Sequence, residues 1–159
     1  MNKLQRYLYS DLTNPAATLR NPPNHKMARI LIVDDHLAAR ITIRELLDWH
    51  GFQVWGEAKD GKEAIEKVIE LKPDIVLMDI NMPDMNGVKA AQEIRRISPA
   101  TKIVFLTVHD TPAVMVSTRL WAHGFVPKSA AGVELIPTLN RLIRNPPGGS
   151  IRFRRPGTD

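Results

Sequence analysis

The stretch that decides the fold is 76-VLMDINMPDMNG-87, an apolar run that ends on an aspartate and passes into a loop containing proline and glycine. The run Val76, Leu77 and Met78 is typical of a buried strand. A carboxylate directly after such a strand is costly if it is buried without a partner or a metal ion. Asp79 therefore either marks a loop that leaves the core or is a reactive group at the exposed end of a strand.

Similar runs occur on both sides of this stretch, and segments with helical periodicity separate them. Further strands are predicted at 28–33, 52–55, 103–106 and 125–126, and helices at 41–47, 60–69, 88–97, 113–121 and 133–143. Five strand–helix units in succession predict an α/β fold, with a parallel sheet covered by helices on both faces and right-handed crossovers. The second run alternates polar and apolar residues, which favours a strand at the edge of the sheet.

Several side chains are given a structural role. Asp60 is predicted to cap a helix with Glu63 three residues on. Ala64, Ile65, Val68 and Ile69 follow at helical spacing. Met78 is read as core, and the tryptophans Trp49, Trp55 and Trp121 as filling the edges of the core. His25, His50 and His123 are read as solvent-exposed or capping residues.

The composition is that of a single globular domain in a reducing compartment. The chain has 159 residues, of which 43% are hydrophobic and 25% charged, and it has no cysteine. These values suit one domain with a real core and exclude disulfide and thiolate chemistry. No apolar stretch approaches the roughly 20 residues of a membrane span. The first 26 residues lack the apolar core of a secretory signal. A cytoplasmic location without membrane attachment is predicted.

The net charge of +5 comes from the two ends of the chain. The first segment carries Lys3, Arg6, Arg20 and Lys26 against Asp11, and the last carries Arg152, Arg154 and Arg155 against Asp159. Residues 27–144 therefore sum to zero, whereas a DNA-binding domain carries a basic stripe on a folded face. No direct binding to nucleic acid is predicted. The ends are either solvated or bind an acidic partner.

Proline and glycine steps divide the chain into three parts. We predict a flexible extension at 1–26, one domain at 27–144, and a disordered tail rich in Pro, Gly and Arg at 145–159. Met27 directly precedes the first strand, which leaves open whether it is the true start. Fifteen residues after Arg144 are too few for a helix-turn-helix. A stand-alone domain is favoured over one truncated before a DNA-binding module.

Polar side chains follow four of the predicted strands. Asp34 and Asp35 follow the first, Asp79 the third with Asn81 in its loop, Thr107 the fourth, and Lys128 lies just past the fifth. The functional site of an open parallel sheet lies at the carboxyl ends of its strands. A single aspartate there is more often a helix cap, but five suitable groups at four strand ends indicate a site.

The chemistry of this set is that of phosphoryl transfer. Carboxylates brought together repel one another and favour a divalent cation, and oxygen ligands without His or Cys favour Mg²⁺. A hydroxyl and an ammonium opposite the metal suit a phosphoryl group, whose negative charge they stabilise. Asp79 could then attack phosphorus and form an acyl phosphate.

Four sequence blocks carry a resemblance to a known family. They are ILIVDDH (30–36), DIVLMDINMPDMNG (74–87), IVFLTVHD (103–110) and GFVPKSA (124–130). In order and spacing they resemble the signature blocks of response-regulator receiver (CheY-like) domains of two-component signalling, most closely receivers of NarL/FixJ-type regulators. The resemblance covers about residues 27–144. It implies a flavodoxin-like (βα)5 fold, a doubly wound parallel sheet with strand order 2-1-3-4-5.

The resemblance also implies roles for the acidic residues. Asp79 corresponds to the phosphoacceptor of the family. Asp34 and Asp35 match the acidic pair that binds Mg²⁺, with Asp34 acting partly through water. Asn81 corresponds to the position that contributes its backbone carbonyl to the metal.

The remaining motif positions imply a switch. Thr107 would bond a phosphoryl oxygen and Lys128 would form an ion pair with it, while Phe125 matches the aromatic that swings inward as the threonine moves. Phe125 has no phenol hydroxyl, so switching is expected to rest on packing. The implied phosphodonor is a sensor histidine kinase or phosphotransfer protein, and a homodimer is possible. Such a protein catalyses only its own phosphorylation and dephosphorylation, and is not otherwise an enzyme.

Three residues depart from the family pattern. Val108 stands where receivers commonly have a smaller residue, and its side chain could crowd the phosphodonor. Pro127 lacks an N–H beside the site. Pro137 falls within the last predicted helix, where it cannot donate to the Val133 carbonyl and is expected to kink the chain.

Rival interpretations make different use of the same residues. A haloacid-dehalogenase-like phosphatase also uses an aspartate nucleophile with Mg²⁺, but it needs a second acid two positions on, where Asn81 stands. A scaffold that has lost phosphorylation would not need the complete set of site residues. His36 and His109 flank the site, yet no spacing suggests zinc. Gly61, Gly87 and Gly124 form no phosphate-binding loop.

Overall fold

The structure, a computed structural model, describes residues 28–108 and 112–144. Its strands form one parallel sheet of five strands in the order β2-β1-β3-β4-β5. The strands are Arg29–Val33 (β1), Gln53–Ala58 (β2), Ile75–Asp79 (β3), Lys102–Thr107 (β4) and Gly124–Pro127 (β5). The predicted strand order is confirmed, and the alternating second run lies at the edge of the sheet as expected.

Helices connect the strands in the predicted alternation. They are Leu37–Trp49 (α1), Gly61–Leu71 (α2), Gly87–Ile97 (α3), Pro112–Thr118 (α4) and Ala131–Arg144 (α5), with a 3₁₀ turn at Lys128–Ala130. The second strand extends to Ala58, beyond its predicted end, because its residues continue to pair with β1 up to Val33. The fourth helix ends at Thr118, three residues earlier than predicted.

The two faces of the sheet support two separate cores. In β3, Val76 and Met78 pack toward α2 and α3, whereas Ile75 and Leu77 pack toward α1 and α5. All five residues of β3 are buried. The continuous apolar run therefore reflects a central strand that is covered on both sides.

The start of α2 confirms the predicted cap. The Asp60 carboxylate accepts a hydrogen bond from the Glu63 N–H at 2.8 Å. Glu63 reaches back to the Lys59 N–H at 2.9 Å. Of the apolar residues at helical spacing in this helix, Ile69 is 62% exposed. Ile69 follows the buried Val68 directly, so it lies outside the stripe that faces the sheet.

Two of the tryptophans are not core residues. Trp49 is 77% exposed and Trp55 is 50% exposed. Trp49 is the last residue of α1, beyond the buried Leu47, and Trp55 lies on the edge strand with the Arg29 guanidinium over its ring at 5.5 Å. Trp121 packs against the core as predicted.

His123 is a half-buried structural acceptor, so the prediction of a solvent-exposed or capping residue is wrong. Its Nδ1 accepts the Ile103 N–H at 3.0 Å, and its backbone N–H donates to the Ile103 carbonyl at 2.7 Å. Its Nε2 lies 3.0 Å from Arg95 Nη1. Burial, with the positive charges of Arg95 and Lys102, lowers the pKa of His123 to about 4. His50 does cap α1, with its ring against the Leu46 carbonyl.

The last helix continues through Pro137 to Arg144. Leu135, Leu139 and Leu142 are buried on both sides of the proline, which is itself exposed. The helix therefore keeps one apolar face against the sheet, and the kink stays a prediction.

Several predictions lie outside the described residues and stay predictions. They concern the extension at 1–26, Met27, the tail at 145–159, and the side chains of His25 and His109. Among the helices that the structure describes, none has the length and apolar character needed to cross a membrane.

Candidate functional site

The candidate site lies at the carboxyl edge of the sheet, where the polar residues predicted from the sequence end their strands. Asp34 directly follows β1, Asp79 is the last residue of β3, and Thr107 is the last residue of β4. Lys128 directly follows β5 and begins the 3₁₀ turn. Since all these strands are parallel, their ends meet at one edge, which we call the acidic edge.

Asp79 is almost fully buried, with 3% of its surface exposed. Burial, together with the nearby negative charge of Asp34, raises the pKa of Asp79, while Lys128 and the Asn81 N–H act in the opposite direction. The ionised carboxylate is therefore held in an unfavourable environment that a bound cation would relieve.

Lys128 is the cation that joins the carboxylates. Its Nζ lies 2.5 Å from Oδ2 of Asp34 and 3.4 Å from Oδ2 of Asp79. The lysine side chain keeps 21% of its surface exposed. It bridges β5 to β1 and β3, as expected for a residue placed just past a strand end.

Every polar atom of Asp34 has a hydrogen-bond partner. Its Oδ1 accepts the His36 N–H at 2.9 Å, and its backbone N–H donates to the Ala58 carbonyl at 3.1 Å. Its own carbonyl accepts a hydrogen bond from Arg40 Nη1 at 2.8 Å. The sequence did not point to Arg40, because a basic residue on a helix is usually solvated.

The carboxylates are close enough to share one cation. Ligand atoms of Asp34, Asp35, His36 and Asp79 all lie within 4.8 Å of one another. Oδ1 of Asp79 is buried and accepts no hydrogen bond from any residue that the structure describes. Carboxylate oxygens with unused lone pairs are the donors that Mg²⁺ prefers. The residues therefore fit a hard divalent cation at this edge.

His36 stands beside this cluster. Its Nδ1 lies 3.0 Å from Oδ1 of Asp35 and 3.4 Å from Oδ1 of Asp34, and its ring is 72% exposed. When this ring is protonated, it can form ion pairs with both carboxylates.

The other predicted residues lie around this cluster. Thr107 is 1% exposed and pairs with Pro127 in the ladder between β4 and β5. Asn81 is exposed in the loop after β3. Phe125 is half-buried, with its ring edge-on to Phe105 at a centroid distance of 6.2 Å. The structure thus brings Asp34, Asp35, Asp79 and Lys128 into one cluster, while Phe125 belongs to the packing of the sheet.

Gly87 is a site residue that sequence reasoning missed. A Cβ at this position would lie 2.0 Å from the carbonyl oxygen of Asp79. The Gly87 N–H donates to the Ile80 carbonyl at 2.9 Å. Only glycine lets the first turn of α3 approach the main chain of Asp79 so closely. The available signal was a glycine that ends the loop after the strand and opens a helix.

The fold and the acidic edge define a signalling receiver, and comparison with known families agrees. The model of the response regulator receiver domain matches residues 30–140. The chain belongs to this family of two-component signalling domains.

Curated relatives share this part of the chain. The chemotaxis protein CheY of Thermotoga maritima is 39% identical over 117 residues, which cover 73% of this chain and 98% of CheY. The response regulator GacA of Pseudomonas viridiflava is 40% identical over 119 residues, which cover 74% of this chain and 55% of GacA. The chain thus matches nearly all of one relative and about half of the other.

Solved structures show the same fold. The response regulator domain of Thermotoga maritima CheB superposes with a TM-score of 0.69 at 31% identity, covering 76% of this chain and 98% of that one. A two-component response regulator of the LuxR family from Aurantimonas sp. gives a TM-score of 0.70 at 34% identity, covering 74% of this chain and 85% of that one. The flavodoxin-like receiver fold is thereby confirmed.

Proposed function

We propose that this receiver accepts a phosphoryl group on Asp79 from a sensor histidine kinase or phosphotransfer protein, in the presence of Mg²⁺, and then changes its interaction with a partner. The observation that carries the proposal is the buried Oδ1 of Asp79, which has no hydrogen-bond partner among the described residues and lies within one cluster with Asp34 and Asp35. An unpaired oxygen at the end of a central strand is available both to a cation and to phosphorus.

The metal ligands would be carboxylate oxygens of Asp34, Asp35 and Asp79 and the backbone carbonyl of Asn81. A bound Mg²⁺ supplies charge that offsets the repulsion between these carboxylates and the negative charge of an incoming phosphoryl group. The donor set contains only oxygen atoms, which favours Mg²⁺ over softer metals.

The chain's own groups then account for the transfer. A carboxylate oxygen of Asp79 attacks phosphorus, the P–N bond to the donor histidine breaks, and its electron pair returns to the imidazole, which takes up a proton. Lys128 lies within ion-pair distance of Asp79 and can stabilise the transferred phosphoryl oxygens. Thr107 ends the neighbouring strand, and in this proposal its hydroxyl donates to the same group.

The change of state would involve the pairing of β4 with β5. Thr107 ends β4, and Phe125 of β5 lies opposite Phe105 in the register of the two strands. A shift of Thr107 toward a phosphoryl group changes the space beside these rings, so that two packing arrangements differ in free energy with phosphorylation. Val108 is 69% exposed next to Thr107, at the entrance that a phosphodonor would use.

The proposed unit of function is the domain at 27–144, which contains the matched region 30–140. Within it the family match favours the signalling switch over the haloacid-dehalogenase-like phosphatase. The partner that reads the phosphorylated state, including a second copy of the chain, belongs to the same proposal.

The test is intact-mass analysis after incubation with Mg²⁺ and a small acyl-phosphate donor. We expect one phosphoryl adduct on the wild type, lost in EDTA and on hydroxylamine treatment because an acyl phosphate is labile to that nucleophile. Asp79→Asn should give no adduct. Asp84→Asn, which changes an exposed aspartate in the same loop, is the matched control and should react like the wild type. An adduct that persists in Asp79→Asn, or a folded wild type that stays unmodified, would contradict the proposal and favour the scaffold.

A further inference from the structure

Arg40 on α1 contacts two separate parts of the acidic edge. Its Nη1 donates to the Asp34 carbonyl at 2.8 Å, and its Nε donates to Oε2 of Glu57 on the edge strand at 3.0 Å. The arginine side chain is 15% exposed. Its planar guanidinium is thus held between the end of β1 and β2, which limits its freedom to move.

The carbonyl that Arg40 holds lies outside the sheet. Pairing of β1 with both neighbouring strands ends at Val33, and in the described part of the chain no backbone N–H donates to the Asp34 carbonyl. That carbonyl belongs to the peptide linking Asp34 to Asp35. Its orientation therefore sets where the main chain of Asp35 begins and where the Asp35 carboxylate can reach.

The Asp35 carboxylate has little support of its own. Its Oδ1 is buried and makes no hydrogen bond with any residue in the described part of the chain, although the exposed ring of His36 lies 3.0 Å away. Asp34, in contrast, is fixed through both carboxylate oxygens. The position of Asp35 thus depends on its backbone, and a metal site needs its ligands held within about 0.5 Å.

We propose that Arg40 is a positioning residue of the metal site, which aims Asp35 at Mg²⁺ by fixing the Asp34–Asp35 peptide against Glu57. This inference rests on the proposed function. It assigns to Arg40 no contact with the metal or with the phosphoryl group. Residues that orient metal ligands in this way commonly change metal affinity by about 10- to 100-fold when they are replaced.

Arg44 provides a matched comparison one turn further along α1. Its Nε donates to Oε1 of Glu57 at 2.6 Å, and it makes no hydrogen bond to Asp34 among the described residues. Burial raises the pKa of Glu57, but the hydrogen bonds from Arg44 and Arg40 more than offset this and hold the pKa below its ordinary value. Loss of either arginine leaves Glu57 paired with the other.

The positioning role and a purely electrostatic role predict opposite signs. Removing a positive charge near a cation site strengthens Mg²⁺ binding by simple electrostatics, and this holds for both arginines. Loss of the hydrogen bond to Asp34 weakens Mg²⁺ binding, and this holds only for Arg40. The direction of the change therefore separates the two explanations.

The experiment measures the Mg²⁺ dissociation constant of the full chain by titration of backbone amide chemical shifts. Arg40→Met is expected to weaken Mg²⁺ binding about tenfold. Arg40→Lys keeps the charge but cannot reach both partners with a planar fork, and is expected to weaken binding by about threefold or more. Arg44→Met should stay within about twofold of the wild type. Unfolding midpoints in EDTA report separately on stability.

Binding by Arg40→Met that equals or exceeds that of the wild type would overturn the inference, as would an equal loss in Arg44→Met. Should Arg40→Met not fold, the comparison of Arg40→Lys with Arg44→Met decides in the same way. A wild type that binds no Mg²⁺ would overturn the proposed function as well. A wild type that binds Mg²⁺ and is phosphorylated, with unchanged affinity in the Arg40 variants, would overturn the inference alone.

Discussion

The carboxylates at the two edges of the sheet differ in how well they are paired with positive charge. At the acidic edge the carboxylates of Asp34 and Asp79 share the ammonium of Lys128, and a buried oxygen of Asp79 has no hydrogen-bond partner among the described residues. At the amino edge, where the strands begin, Asp74 accepts hydrogen bonds from the N–H, Nε and Nη2 of Arg29 at 2.8 to 3.1 Å. The carboxylates of the acidic edge have too few positively charged partners, whereas the carboxylate of the amino edge is paired with an arginine.

The pKa values follow this difference. Burial raises the pKa of Asp79, and Lys128 and the Asn81 N–H offset this only in part. Burial also acts to raise the pKa of Asp74, but its hydrogen bonds from Arg29 outweigh this, so the pKa is lowered. A carboxylate that stabilises the fold is thus distinguished from a candidate reactive carboxylate by whether its environment favours ionisation. Changes at the two edges should therefore separate stability from function.

The largest effect is expected for Gly87→Ala at the acidic edge. The new Cβ would lie 2.0 Å from the Asp79 carbonyl oxygen, and backbone cannot yield as a flexible side chain can. We expect the free energy of unfolding to fall by about 3 kcal/mol or more, and phosphorylation by a small acyl-phosphate donor to be lost as Asp79 is displaced.

Gly132→Ala in the first turn of α5 is the control, because nothing lies within 4 Å of its Cβ position. Its unfolding free energy should rise by up to about 1 kcal/mol, with phosphorylation unchanged. Chemical denaturation and intact-mass analysis measure both properties. Equal behaviour of the two variants would show that close approach to Asp79 is not what requires Gly87.

A smaller effect is expected at the amino edge from His123. Its folded pKa of about 4 lies below the ordinary value of 6.5, so the unfolded chain takes up the proton first as the pH falls. Stability from the neutral ring is present above pH 6.5 and is lost toward pH 4. The loss is at most about 3 kcal/mol.

His123→Gln should remove this part of the pH dependence when urea unfolding is measured at pH 4 to 7.5. His50→Gln is the control, since the His50 ring is exposed at the end of α1. It should keep the slope of the wild type. A variant at 123 with an unaltered slope would indicate that the ring is not held as a neutral acceptor.

An Asp→Asn substitution should change the free energy of unfolding in opposite directions at the two edges. Asp79→Asn removes a carboxylate whose pKa is raised, so at neutral pH without metal the free energy of unfolding should rise by roughly 0.5 to 2 kcal/mol. Asp74→Asn removes the charge held by Arg29 and should lower it by roughly 1 kcal/mol, since the pair is partly exposed.

The difference for Asp79→Asn should shrink as the pH falls from the raised pKa of Asp79 to the ordinary aspartate value. The difference for Asp74→Asn should shrink as the pH falls from the ordinary value through the lowered pKa of Asp74. Denaturation at pH 7 and pH 3.5 checks the signs, and only Asp79→Asn should abolish phosphorylation. If both variants were less stable than the wild type at pH 7, the predicted difference between the two edges would be wrong.

The smallest effect is expected for Trp49→Gln. The ring is 77% exposed at the end of α1, so stability should stay within about 0.5 kcal/mol of the wild type. Trp121→Gln, on a ring packed against the core, is the comparison and should cost more. A large loss of stability in Trp49→Gln would support the predicted role of Trp49 in filling the edge of the core.

Much of the acidic edge could be predicted because its signals are local. An apolar run such as Val76–Met78 followed by a carboxylate marks both a buried strand and its end. Parallel strands bring such ends together whatever the details of packing. The motif blocks added roles for Thr107, Lys128, Phe125 and Asn81, which stay predictions until the phosphorylated protein is studied.

The residues of the amino edge, and those that hold the site residues in place, carry no such local signal in the sequence. His123 stands alone between small residues, and its partial burial depends on Ile103 and on Arg95 of α3. Arg40 and Glu57 are 17 residues apart and meet only because α1 packs beside β2. Exposed aromatic rings were assigned to the core because composition alone does not say which helix face meets the sheet.

The sequence by itself determined the order of strands and helices, the central strand that carries Asp79, and the residues that end the strands. These follow from hydrophobic periodicity, which each segment carries within itself. The tertiary structure decided which buried polar atoms acquire partners, which rings stay in solvent, and why glycine is needed at position 87. Those outcomes depend on contacts between segments distant along the chain, where the free energy of a buried group is fixed by its neighbours and not by its own residue type.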